Sequence, residues 1–185
     1  MPKTMASAIR RWRSNNCWLG RPYGPPIAFV LHSETGGESG TVAEFLNSSS
    51  QWSSHYTVAL DGTLDCYVDP GDRAWGNGVL EPGNLWATVA TECGVDLALN
   101  PNHVTVSCET EDLGEAGREV TDRQFSAVLY AACEAKVRYP TSLRYLVRHS
   151  DISPQSRLCC PGDRWVASGR FQALAAALGL KTVSS

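Results

Sequence analysis

The sequence lacks any apolar run near the roughly 20 residues that a membrane-spanning helix needs. Its first residues, "MPKTMASAIRRWRSNN", also lack the apolar middle region of a secretory signal. The expectation is a chain made in the cytosol and left soluble there, with no membrane insertion. Internal repeats, heptads and low-complexity tracts are absent too, which excludes solenoid, coiled-coil and disordered architectures. An excess of basic charge is missing: 16 Lys and Arg against 19 Asp and Glu give a net charge of −3, so no nucleic-acid partner is expected. The one dense basic run, "RRWR" at Arg10 to Arg13, reads as a solvated face or a terminal arm. No C-x-x-C pair occurs, which removes the commonest structural zinc frameworks.

Seven cysteines are present, an odd number without a secreted disulfide pattern, so mostly reduced thiols are expected, with some available for metal or catalysis. At 185 residues, 43% of them hydrophobic, the chain has the length and apolar content to bury one full core. The first strong strand signal, "IAFVLH" at Ile27 to His32, begins only after Pro25-Pro26. Residues 1–25 therefore read as an N-terminal arm and 26–185 as a single core domain.

Thr41 and Glu44 in "TVAEFL" have capping-box spacing and predict a helix start. "SHYTVAL" at 54–60 and "TLDCYV" at 63–68 flank Asp61-Gly62 and predict a hairpin. "HVTVSCE" at 103–109 and "LRYLVRH" at 143–149 read as strands. "TDRQFSAVLYAACEAKV" is a helix capped by Thr121 and Gln124, and "GRFQALAAALGL" at 169–180 a closing helix. Strands alternating with helices, plus one hairpin, imply an α/β fold with a mixed central sheet flanked by helices.

Among the four histidines, His32 ends the apolar run "AFVLH" and His149 ends "LRYLVRH". Strand ends are where a rigid sheet presents side chains to a cleft, although a single histidine there is commonly a hydrogen-bonded structural residue. Downstream of His149 lies "RLCCPGDRW", with Cys159 and Cys160 in a loop rich in Ser, Pro and Gly. Two imidazoles and one thiolate form a three-ligand zinc set that leaves the fourth tetrahedral position for water, whose pKa falls to about 7 on the metal.

"HSDISPQSRLCCPGDRW", with "FVLHSE" and "SSHYTVALDGTL", resembles the zinc-dependent N-acetylmuramoyl-L-alanine amidases of type 2. That family includes peptidoglycan recognition proteins and phage endolysins. The resemblance runs from about Ile27 to Leu180 and implies a mixed sheet with helices on both sides and Zn2+ in a groove. By position it implies His32, His149 and a cysteine just before the proline as metal ligands. Cys160 is preferred, because the residue before proline is held extended and adjacent extended side chains point opposite ways. Cys159 stays open, since the family's basic residue stands two before the ligand. Arg157 has that spacing only to Cys159.

The resemblance further implies Glu109, at the end of "HVTVSCE", as general base, and Arg157 as support for the oxyanion. Some members carry a catalytic Tyr where this chain has Ser54, which moves weight to Glu109. His55 could orient a ligand or touch substrate, Trp75 matches an Ala-Trp step near the groove, and Asn102 could help shape it. The family's His after that step is replaced by Gly76-Asn77. His103 reads as structural.

The implied activity is hydrolysis of the amide between N-acetylmuramic acid and the stem peptide's L-Ala in peptidoglycan. The expected form is a monomeric phage endolysin, made in the host cytoplasm and acting on the bacterial cell wall. A non-catalytic wall-binding module and a cytosolic wall-recycling amidase are the alternatives. A zinc deaminase, suggested by "HSE" at 32–34, lacks its P-C-x-x-C half. A cysteine hydrolase would keep its activity in chelator.

Overall fold

The computed structural model describes residues 9–114 and 118–183. The first eight residues of the expected arm lie outside them. In chain order the elements are β1 (Arg10–Arg11), β2 (Cys17–Trp18), β3 (Ala28–Glu34), α1 (Glu38–Leu46), β4 (Tyr56–Val58), β5 (Leu64–Cys66), β6 (Arg73–Ala74) and α2 (Trp86–Cys93). A 3-10 turn (Pro101–Val104) leads into β7 (Thr105–Glu111), followed by α3 (Asp122–Arg138), β8 (Tyr145–Arg148), α4 (His149–Ile152), α5 (Asp163–Val166), α6 (Arg170–Leu178) and β9 (Lys181–Thr182). Seven strands form one sheet in the order β1-β5-β4-β7-β3-β8-β9, and β2 pairs with β6 separately. Only the β4–β5 hairpin is antiparallel within the large sheet. This is the mixed sheet with flanking helices that the sequence predicts.

Strand parity decides what each face of the sheet meets. Phe29 and Leu31 of β3, with Tyr56, Val106 and Leu146, pack against the alanine-rich side of α3 (Ala131, Ala132, Ala135) and against Trp165 and Leu174. Ala28 and Val30, with Tyr145 and Val147, pack against Trp86, Val89 and Ala90 of α2. His32 continues the parity of Ala28 and Val30, so its side chain leaves the sheet on the α2 face. All five β3 residues from Ala28 to His32 are buried, as expected of a central parallel strand covered on both sides.

Two capping expectations fare differently. Thr121 caps α3, accepting the Gln124 backbone N–H at 3.0 Å, but the Gln124 amide donates to the Val58 and Glu111 carbonyls instead of returning the bond. Thr41 does not start a helix. The first turn of α1 opens earlier, at Glu38, and the buried Thr41 hydroxyl donates to Glu34 Oε2 at 2.5 Å, a tertiary bond that local spacing does not reveal. Helix α2 follows the loop-rich stretch at 76–84, and Asn84, just ahead of it, accepts the Ala87 backbone N–H on its side-chain oxygen at 3.2 Å.

The segment before residue 26 is threaded into this body. Strand β1 extends the sheet beside β5, and the Arg10 guanidinium grips the buried Asp65 with two bonds of 2.7 and 2.6 Å. Arg11 pairs with Glu134 at 2.6 Å, so two arginines of the "RRWR" run have fixed partners. The buried Asn16 amide donates to the Asn47 and Trp52 carbonyls. Arg21 donates to the carbonyls of Pro70 and Thr105, and burial pulls its pKa down to about 10.

Candidate metal centre

Parallel strands β3, β7 and β8 lie side by side, and β3 and β7 run two residues past His32 and Glu109, so neither residue closes its strand as expected. In β7, Glu109 stands in register with His32 of β3. Strand β8 stops at Arg148, whose backbone N–H donates to Asp151 Oδ2 at 2.9 Å while its guanidinium holds Asp151 Oδ1 at 2.6 Å. This double grip turns the chain into α4, so His149 opens a short helix and does not close the strand as expected. The cysteine loop is tied to the same helix by the Ser150 N–H on the Cys160 carbonyl at 3.1 Å.

One ring nitrogen of His32, one of His149 and the Sγ of Cys160 lie within 4.8 Å of one another. The two Nδ1 atoms face each other at 2.9 Å, and Cys160 Sγ accepts the Ser33 backbone N–H at 3.3 Å. Cys159 is exposed and not part of this group. Glu109 Oε1 lies 3.5 Å from His32 Nδ1, and its side chain is buried.

Burial sets the charge states. It holds His32 well below the usual imidazole range, with His149 as the next cause, and it takes His149 down to about 4, helped by the charge of Arg157. Both rings are therefore uncharged and able to ligate at neutral pH. Burial, then the nearby Glu34, raises the Glu109 carboxyl well above its ordinary value. Burial also pushes the Cys160 thiol up to about 12, opposite to the lowered pKa of a cysteine nucleophile. Arg157 is exposed on the loop, and its charge acts on His32, His149, Glu109 and Cys160 alike.

These donors fit Zn2+. The two uncharged imidazoles and the Cys160 sulfur bring one donor atom each within 4.8 Å of one another at one largely buried spot, where a cation relieves the close approach of the two nitrogens. Nitrogen and sulfur in a two-to-one ratio are ligands that zinc prefers.

The remaining candidates surround this group without joining it. Asn102 is buried, and its Oδ1 accepts the Asn77 backbone N–H at 2.9 Å. Trp75 is half-buried and packs on Trp18 with ring centroids 5.3 Å apart. His55 is a strut: its Nδ1 accepts the Ser107 N–H at 3.0 Å, and its Nε2 meets Arg21 and the Asp72 carbonyl. Ser54 donates to Ser107 Oγ at 3.0 Å. His103 bonds Arg73 at 2.9 Å and packs between Trp18 and Tyr23. Asn77 is the unforeseen participant. Its side-chain oxygen lies 3.0 Å from His32 Nε2 and its backbone oxygen 3.2 Å from His149 Nε2. The signal for it was the flanking glycines in "WGNG".

Residues 22–163 match the family described as N-acetylmuramoyl-L-alanine amidase. No match exists among curated protein sequences. Among solved structures, a selenomethionine derivative of AmpD is similar with a TM-score of 0.67 and 21% identity over 92% of this chain and 96% of that one. The N-acetylmuramoyl-L-alanine amidase LysC from Clostridium intestinale gives 0.61 and 18%, over 93% and 99%. AmiD from E. coli, in complex with the substrate anhydro-N-acetylmuramic acid-L-Ala-D-γ-Glu-L-Lys, gives 0.57 and 21%, over 96% and 62%. At these identities the structural likeness concerns the fold.

Proposed function

We propose, for a chain that belongs to the N-acetylmuramoyl-L-alanine amidase family, a zinc-dependent hydrolase that cuts the amide between the lactyl group of N-acetylmuramic acid and L-Ala in peptidoglycan. The observation that carries this reading is the convergence of His32, His149 and Cys160, with Glu109 Oε1 3.5 Å from His32 Nδ1. In this reading these three residues hold the zinc, which when bound supplies Lewis acidity and an acidified water. Glu109 takes a proton from the attacking water and returns it to the leaving amine. Its raised carboxyl pKa suits both halves of that exchange, and a positioned acid–base group contributes about 10²–10⁴ in rate. Arg157, exposed at the mouth, offers its charge to the oxyanion of the tetrahedral intermediate. His55, Trp75 and Asn102 act behind this group as supports. Residues 26–185 form the catalytic domain, with 1–25 as its supporting arm.

We place the protein as a monomeric phage endolysin, made in the host cytoplasm and acting on the bacterial cell wall. Among the described residues no helix is long and apolar enough to cross a membrane. A second reading, action on small soluble wall fragments, is favoured by the AmiD complex, whose ligand is such a fragment.

The test is turbidity loss and product mass on purified walls and, separately, on soluble muropeptides. New free L-Ala amino termini, lost with chelator and restored by Zn2+, are expected. Walls that sediment with the protein but release nothing would make it a binding module. Activity that survives chelator and dies on alkylation would make it a cysteine hydrolase. Cleavage confined to soluble fragments would replace the endolysin role by recycling.

A further inference from the structure

Asn77 touches both histidines, and its own bonds decide which nitrogen of His32 stays bare. Thr105 Oγ1 donates its single proton to the Pro101 carbonyl at 2.9 Å, so toward Asn77 it can only accept. The Asn77 Nδ2 group donates to it at 2.7 Å. That fixes which end of the amide faces Thr105 and leaves Oδ1 toward His32 Nε2, 3.0 Å away. A carbonyl oxygen only accepts, so His32 Nε2 carries the hydrogen and Nδ1 keeps the lone pair. His149 has two acceptors to choose between, the Asn77 backbone carbonyl at 3.2 Å from its Nε2 and the bare His32 Nδ1 at 2.9 Å from its Nδ1.

The loop is built to hold this residue in place. A Cβ at Gly76 would sit 2.8 Å from the Ser53 carbonyl, so only glycine lets the chain approach the segment before β4 this closely. The Asn77 N–H is pinned by Asn102 Oδ1 at 2.9 Å, and the Asn102 N–H by Asn100 Oδ1 at 2.9 Å.

We infer that Asn77 is a positioning residue that locks His32 in its Nε2–H tautomer, presenting the Nδ1 lone pair to a cation, with Thr105 setting the direction of its amide. The consequence for zinc rests on the amidase reading; the tautomer does not.

The test uses the full chain with ¹⁵N-labelled histidine, stripped of metal by chelator, and long-range ¹H–¹⁵N spectra that identify the protonated nitrogen. His32 is expected as Nε2–H. Asn77→Leu moves His32 into a tautomer mixture. Thr105→Val frees the amide to turn and gives a partial mixture at His32 without touching it. In chelator competition, Asn77→Leu binds Zn2+ about 10–100-fold more weakly, whereas Asn77→Asp, which keeps an acceptor on Nε2, binds at least as tightly as the parent. A parent His32 protonated at Nδ1, or unchanged populations in both Asn77→Leu and Thr105→Val, overturns the inference. If Asn77→Leu does not fold, the parent spectrum and Thr105→Val decide it. A His32 tautomer as expected with no zinc uptake by the parent would uphold Asn77 and remove the zinc reading.

Discussion

Replacing Cys159 and Cys160 by serine, one at a time, probes the metal centre most directly. Cys160 Sγ shares a 4.8 Å cluster with the two histidine nitrogens, whereas Cys159 is exposed. Structural zinc sites with four protein ligands bind with about 10–16 kcal/mol, which is roughly 2.5–4 kcal/mol per ligand. At about 1.4 kcal/mol per tenfold, Cys160→Ser should weaken zinc binding by about 60- to 700-fold. Its zinc-free fold should stand, because the serine oxygen can accept the Ser33 N–H that the sulfur accepts at 3.3 Å, so Tm should shift by no more than about 2–4 °C. Cys159→Ser should stay within about 0.5 kcal/mol of the parent in stability and leave zinc uptake unchanged. Competition against a chromophoric chelator, run beside wall turbidity, reads both. Zinc and lysis kept in Cys160→Ser but lost in Cys159→Ser would refute the choice of ligand. If neither change matters, the loop does not bind metal.

Three further outcomes are expected. Glu109→Gln should lower turnover on wall fragments about 10²–10⁴-fold while its zinc affinity stays within about threefold of the parent, and an equal fall in both would make Glu109 a support for the ligands and not the proton carrier. Asn16→Ala removes the buried amide that donates to the Asn47 and Trp52 carbonyls, two hydrogen bonds worth about 0.5–1.5 kcal/mol each, so Tm should drop by about 2–12 °C in calorimetry; no drop would mean that the arm does not brace the domain. Phe29→Ala opens a cavity beside α3 at a fully buried site, and urea unfolding should show a loss of about 3–5 kcal/mol with an unchanged m-value.

What the residue pattern determined is local. Apolar runs bounded by Pro and Gly located β3 and β8, Asp61-Gly62 the hairpin, and Thr121 the start of α3, because strand parity, turn chemistry and capping act within a few residues of chain. The same pattern marked His32, Glu109 and the cysteine loop as residue types suited to metal hydrolysis, and the family motif named their roles. Only the tertiary structure decided their meeting. The parallel register of β3 with β7 sets Glu109 beside His32, and the Arg148–Asp151 grip turns His149 into line. The path of the loop, tied through Ser150, brings Cys160 in and leaves Cys159 out. Asn77 reaches both histidines across 45 and 72 residues of sequence, a span over which no local propensity carries information. The arm before residue 26 likewise carries no strong strand signal, yet β1 completes the sheet beside β5, since what stabilises it is a buried carboxylate at Asp65 and not its own sequence. Short-range sterics are written in order along the chain, whereas a buried polar group is satisfied by whichever distant segment the fold delivers to it.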